Sequence, residues 1–387
     1  MEKSFVFFLR TKIISGVGTI KEIPLELERV KAQKTMIITD KILREKTDIV
    51  SRIQEFLDGK KHIIFDEVKP DSECSIVDKA YKIAKDNDVD SIISVGGGSS
   101  IDTAKAVTIL YEKGGRIKDH PGVYLLSKET IPHISIPTTA GTGSEVSHVA
   151  VIKDEEEKRK LVYVDFFLMP KVAILDPSLT VSMPPSITAY TGMDALTHCI
   201  ESIHSTANNP ISDSFAIHGI KLIFENLPKV LENPSDLVAR QNMQVAAMMG
   251  GAAFTNAQVG VVHAIAHSLG ALYGIPHGLA NSLILPYGMS FNLPECPRYK
   301  LVGEAIGITE KDEMKSGRKA IEKILDFIKK IGLPTTLKET KTVKKEDFKK
   351  IAELSMGDPS IISNPRFAIT EEAILEILEN AWEGKIV

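Results

Sequence analysis

The chain has little of what marks a secreted, membrane-spanning or nucleic-acid-binding protein. Only three cysteines occur, Cys74, Cys199 and Cys296, far apart and odd in number. They form neither a disulfide framework nor a thiolate metal site, and they suit a reducing compartment. No apolar run reaches the roughly 18 residues that a membrane-spanning helix needs. The opening MEKSFVFFLRTKIISG has a short apolar run broken by Arg10 and Lys12, without the longer core and small-residue cleavage site of a signal peptide. Positive charge is not in excess: 47 Lys and Arg against 51 Asp and Glu leave a formal net charge of −4, which gives no basic field for nucleic acid. Internal repeats and low-complexity segments are absent as well. These absences lead to the expectation of a cytoplasmic globular protein with no nucleic-acid or membrane partner.

A length of 387 residues is enough for two domains of ordinary size. In the first half, short β-branched runs alternate with amphipathic stretches. The strand candidates are Lys34–Asp40, His62–Asp66, Asp90–Val95, His133–Thr139 and Lys171–Asp176; helical stretches include Ile42–Leu57 and Ile76–Asp86. That alternation predicts an α/β domain with a Rossmann-like parallel sheet. Phe5–Gly16 reads as an edge β element. Val149–Lys153 and Leu161–Asp165 read as an inserted hairpin across the charged turn DEEEKRK. After Leu179 strand signals vanish. Ser186–Ile203, Ile211–Glu225, Ser235–Phe254, Val261–Tyr273, Arg318–Ile331 and Glu371–Trp382 carry helical periodicity, which predicts an all-α C-terminal domain. The expected division is 1–179, binding a dinucleotide, and 180–387, binding a metal.

Two turns in the first half carry chemistry. Gly96-Gly97-Gly98-Ser99-Ser100 follows the strand DSIISV and precedes a helical stretch, Ile101–Tyr111. Glycines there let backbone approach a ligand, and the N–H groups at a helix start attract anions, so the turn reads as a pyrophosphate cradle. Thr138-Thr139-Ala140-Gly141-Thr142-Gly143-Ser144 follows another strand, and two such turns at strand carboxyl ends can line one crevice. Asp40 ends a third strand. It reads either as a helix N-cap or as an acceptor for ribose hydroxyls that disfavours a 2′-phosphate, hence NAD over NADP.

In the second half the informative stretch is Val259–Gly278, almost wholly apolar yet holding His263, His267 and His277. His263 and His267, four apart, share one helix face; Gly274 and Pro276 stop that helix and leave His277 on the following turn. Buried imidazoles need partners, and three together point to a metal or catalytic site. Asp194 and His198 form a second pair four apart. Together they give a ligand set of Asp194, His198, His263 and His277, which suits Fe(II), Zn(II) or another divalent cation. His204 and His218 are not expected to be ligands, and His62, His120, His133 and His148 read as structural or surface residues. No histidine follows residue 277.

Four motifs in this order, GGGSSIDTAK at 96–105, PTTAGTGSEV at 137–146, TGMDALTHCIES at 191–202 and the HAIAH…PHG stretch, resemble the iron-containing (group III) alcohol dehydrogenases over essentially the whole chain. The resemblance implies the dehydroquinate synthase-like fold of that family, with a metal at the cleft between the two domains, and it places the family's metal ligands on the same four residues. It implies cofactor contacts at Asp40, Gly97, Gly98, Ser99, Asp102, Thr138, Thr139, Thr142, Lys160 and Leu179. His267 matches a further cleft histidine, expected to relay a proton in catalysis. Phe254 matches a position bordering the substrate pocket. Val149 departs from members acting on small hydroxylated aldehydes, which place asparagine there. The implied activity is reversible hydride transfer between a small primary alcohol and NAD(H), the metal polarising the substrate oxygen. The implied assembly is a homodimer or a set of dimers. Competing readings are a glycerol or diol dehydrogenase, a dehydroquinate synthase-like lyase and a non-catalytic binding protein. The lyase needs basic residues around the histidines, and the sequence supplies almost none.

Overall fold

A computed structural model describes residues 4–157, 159–366 and 369–387. The chain forms two compact units: Leu9–Met183, and Pro184–Val387 together with the segment ending at Phe8.

The first unit is built on a six-stranded sheet in which every pairing is parallel, ordered β1-β9-β6-β4-β2-β3. Its strands are β1 (Lys12–Ser15), β2 (Lys34–Ile38), β3 (Lys61–Phe65), β4 (Ser91–Gly96), β6 (His133–Pro137) and β9 (Val172–Leu175). A smaller sheet joins β5 (Gly122–Val123), β8 (Arg159–Val164) and β7 (Val149–Asp154). The hairpin therefore lies where expected, with Val149 opposite Val164, and it gains a third strand. Lys158 in its charged turn lies outside the described residues, as do Met1–Lys3 at the chain's start.

Side chains alternate across a strand, so each central strand feeds two cores. Met36, Ile38 and Ile92 pack on one face; Ile37, Ile93, Val95, Ile134 and Ile136 pack on the other. Both faces are covered, as parallel sheets require. The helices of this unit are α1 (Ile23–Arg29), α2 (Lys41–Lys46), α3 (Ile49–Glu55), α4 (Cys74–Asp86) and α5 (Gly98–Lys113). The single stretch expected over Ile42–Leu57 is two helices. Thr47 is extended and its hydroxyl donates to the Leu43 carbonyl, which ends α2 before α3 begins.

The second unit is helical: α6 (Pro185–His204), α7 (Pro210–Glu232), α8 (Leu237–Ala257), α9 (Val261–Tyr273) and α10 (His277–Asn292) pack on one another. They are followed by α11 (Tyr299–Ala305), α12 (Glu313–Lys330), α13 (Phe348–Met356) and α14 (Glu371–Glu383). Among the described residues no single helix is long and apolar enough to cross a membrane. One expectation is corrected here. His277 does not sit on a free turn but opens α10, with Pro276 as its N-cap. Gly274 does end α9, in the left-handed conformation.

Candidate functional site

The helical unit collects the histidines around one aspartate. Asp194 and His198 lie one turn apart on α6, His263 and His267 one turn apart on α9, and His277 begins α10. Asp194 is buried, and its Oδ1 lies 3.3 Å from His277 Nε2, 3.9 Å from His263 Nε2 and 4.0 Å from His198 Nε2. The ligand atoms of Asp194, His263 and His277 all fall within 4.8 Å of one another. His198 stands beside that trio, stacked on His263 at 4.7 Å and on Phe254 at 4.4 Å.

What points into the centre of this group is acceptor chemistry. The side-chain amide of Asn281 reaches it, donating to Asp194 Oδ1 at 2.8 Å with His263 Nε2 at 3.2 Å and His277 Nε2 at 3.3 Å. A carboxylate oxygen and imidazole nitrogens converging in a buried place suit a cation, and the donor set without thiolate suits Fe(II). The residues present fit the metal.

Two carboxylates that sequence reasoning missed hold the imidazoles from behind. Glu201 Oε2 accepts from His263 Nδ1–H at 2.5 Å, and Asp358 Oδ2 accepts from His267 Nδ1–H at 2.7 Å. Burial alone would raise both acids, but the histidine partners outweigh it and hold both below the ordinary carboxylate range. Glu201 was within reach of sequence reasoning, because Asp194, His198 and Glu201 fall at i, i+4 and i+7 on one helix face. Asp358 had no such signal: it comes from a short 3₁₀ segment far along the chain and caps that segment through the Ser360 N–H. His204 lies behind Glu201, its Nε2 3.7 Å from Oε1.

In the sheet unit the two glycine-bearing turns meet. A Cβ on Gly97 would lie 3.3 Å from the Thr139 side chain, and one on Gly98 would lie 2.9 Å from Thr142 Cγ2. The absence of side chains at 97 and 98 is thus what lets β4–α5 and the turn after β6 close on each other. Thr138 N–H donates to the Gly96 carbonyl. The helix begins earlier than the sequence suggested, at Gly98 with Gly97 as N-cap, so its free N–H groups belong to the glycine turn itself. Ser99 Oγ accepts from Asp71 N–H, and Asp71 pairs with Lys160 Nζ at 3.2 Å, which ties Ser99 and Lys160 together.

Asp102 lies deeper. Its carboxylate accepts from Ser144 Oγ at 2.5 Å and from Val151 N–H at 3.0 Å. Beside it, Lys105 is fully buried, donating to Ser144 Oγ, Ser147 Oγ and the Val149 carbonyl; burial pulls its pKa down to about 8. Asp40 caps α2, accepting from Leu43 N–H at 2.9 Å. Leu179 is buried in the core on the Ile37–Ile93 face of the sheet, and Val149 is half-buried at the start of β7.

Comparison with known proteins agrees with this chemistry. Residues 10–177 match the family model for iron-containing alcohol dehydrogenase, and residues 188–382 match that for the C-terminal part of the Fe-containing alcohol dehydrogenase family. The chain is 37% identical to the NAD-dependent methanol dehydrogenase of Bacillus methanolicus, covering 97% of this chain and 99% of that one. It is 36% identical to the 1,3-propanediol dehydrogenase of Klebsiella pneumoniae, covering 95% and 96%. Among solved structures, an alcohol dehydrogenase from Oenococcus oeni superposes with a TM-score of 0.95 at 34% identity, over 98% of this chain and all of that one. Converging acceptors in a helical unit, apposed glycine turns on a parallel sheet and matches over nearly the whole length leave one assignment: the chain belongs to the iron-containing alcohol dehydrogenase family.

Proposed function

We propose that this enzyme interconverts a small primary alcohol and its aldehyde through the side chains described above. Asp194, His198, His263 and His277 hold the metal in the helical unit. The sheet unit takes NAD at Gly97, Gly98, Ser99, Asp102, Thr138, Thr139, Thr142 and Lys160, with Asp40 toward the ribose and Leu179 shaping the pocket from the core. The convergence of Asp194, His263 and His277 carries the reading.

Bound there, Fe(II) supplies Lewis-acid stabilisation of negative charge on the substrate oxygen. NAD supplies the hydride acceptor. The chain's own residues do the rest. Asp358 holds the His267 ring by its Nδ1–H, so Nε2 is the nitrogen that exchanges the hydroxyl proton, directly or through water. His267 stacks on His277 at 5.2 Å, so the proton-relay ring abuts a ligand ring. Phe254, stacked on His198, provides an apolar wall for the alcohol's carbon chain.

Val149 brings no hydrogen-bonding side chain, which favours a simple alcohol over a polyol. The similarity to a 1,3-propanediol dehydrogenase keeps a diol as the second reading. In assembly the reading is a homodimer, as the family resemblance implies; in location it is cytoplasmic, supported by three free, buried cysteines. Anaerobic purification with metal analysis, followed by an aldehyde panel with NADH and NADPH, tests the whole reading. It expects bound iron, NADH preference and faster turnover of unsubstituted aldehydes than of hydroxyaldehydes. The reverse order among aldehydes would favour the diol.

A further inference from the structure

Helix α9 begins without a cap of its own, because its N-cap is Gly260 and the first N–H groups of a helix have no intrahelical partner. The structure satisfies two of them from elsewhere. Val261 N–H donates to Asn364 Oδ1 at 3.2 Å, and Val262 N–H donates to Glu201 Oε1 at 2.9 Å. The second oxygen of that carboxylate, Oε2, accepts from His263 Nδ1–H. Glu201 is 0% exposed and belongs to α6, one turn beyond His198. One side chain therefore joins the helix of Asp194 and His198 to both the start of α9 and the ring of His263.

The pocket around Glu201 is closed. A Cβ on Gly260 would stand 3.0 Å from Oε1 and 2.7 Å from His204 Nε2. His204 is itself held through Nδ1 by the Tyr299 hydroxyl at 2.7 Å. With no room to swing, Glu201 acts on His263 in one geometry. A carboxylate only accepts hydrogen bonds, so the proton of a neutral His263 must sit on Nδ1 and the lone pair on Nε2. Nε2 is the atom that faces Asp194.

We propose that Glu201 is a positioning residue for the metal centre: it fixes the tautomer and orientation of His263, so that Nε2 is presented as an acceptor. The proposal rests on His263 being a ligand. It predicts a specific failure for Glu201→Gln. Glutamine has the same shape, and its Oε1 can keep the Val262 cap. Its amide then faces Nδ1 with only donors, which drives the ring proton to Nε2 and removes the lone pair.

Full-length wild type, Glu201→Gln and His263→Ala are compared for Co(II) affinity by competition with a chromogenic chelator, and for thermal unfolding. Glu201→Gln should bind Co(II) about 10- to 100-fold more weakly than wild type, with His263→Ala falling at least as far. Affinity within about twofold of wild type in Glu201→Gln, beside a loss in His263→Ala, would leave Glu201 a helix cap and overturn the proposal. Unchanged affinity in His263→Ala would overturn the ligand reading beneath it. Should Glu201→Gln fail to fold, long-range nitrogen–proton NMR of metal-free wild type decides: Nδ1 protonated on neutral His263 is expected, and Nε2 protonated contradicts it.

Discussion

His263 and His267 are neighbours on one face of α9, yet their surroundings assign them different work. His263 is buried among Asp194, His198 and His277, while His267 is partly exposed, with its ring 6.0 Å from that of His263. His263→Ala should lose metal and activity together. His267→Ala should keep its metal, by elemental analysis, and turn over about 100-fold more slowly, the scale of one lost acid–base group. Asp358→Asn should do the same more mildly, with metal content unchanged and the pH profile of kcat altered, because an asparagine no longer enforces Nδ1 as the protonated nitrogen. Loss of metal from either of the last two would collapse the division of labour. At this scale much was legible beforehand. Four-residue spacing brings Asp194 to His198 and His263 to His267 by helix geometry alone. Of the supporting carboxylates, Glu201 shares the helix face of Asp194 and His198 and could have been read from that spacing, whereas Asp358 arrives from 91 residues past His267 and could not.

At the scale of elements, α10 decides whether His277 reaches Asp194. Its first turn is pressed against α6: a Cβ on Gly278 would lie 2.0 Å from the Tyr190 carbonyl oxygen, an atom of backbone that cannot step aside. Gly278→Ala should therefore push the two helices apart, lowering stability by about 1–3 kcal/mol and weakening metal binding. Thermal unfolding and chelator competition measure the two effects, and an unchanged variant would show that α6 and α10 are not in this contact. Helix α10 was also among the elements sequence reasoning missed, with α1, α11 and α13. From Ala280 to Asn292 every residue is buried and Pro286 lies inside, so there is no polar face to generate periodicity. Helix α9, with Gly260 before it and Gly274 after it, was readable to the residue. Strands β2, β3, β4, β6 and β9 were equally clear, because β-branched runs between turns admit few other readings; the two-residue β5 offers no such run, and the break between α2 and α3 was hidden, since Thr47 sits within an unbroken amphipathic pattern.

At the scale of the molecule, the sheet unit carries an ionisable group that its mechanism does not need to titrate. Lys105 is buried, and its pKa is drawn down to about 8 from an ordinary 10.5, burial being the main cause and Asp102 the main opposition. The sign follows. Between those values the unfolded chain holds a proton that the folded chain has released, so stability rises with pH across the window, and the cost of burying the charged form is fully present below pH 8. The rise is at most about 3 kcal/mol. Denaturant unfolding from about pH 8 to 10 should show a shallower rise in Lys105→Met than in wild type; parallel curves would mean that Lys105 stays charged throughout. The two-unit organisation was visible in the loss of strand signals after Leu179, whereas Lys105 within GGGSSIDTAK gave no hint of burial, because burial is set by the packing of β7 over α5.

The central claim is that converging acceptors from α6, α9 and α10 hold the metal on which alcohol oxidation depends. The direct measurement is NADH formation from a primary alcohol by the full-length protein as purified, after chelator treatment, and after anaerobic return of Fe(II). Activity that disappears with the metal and returns with Fe(II) in wild type, but does not return in His263→Ala, is the result expected. Undiminished NADH formation by the metal-depleted wild type would contradict it.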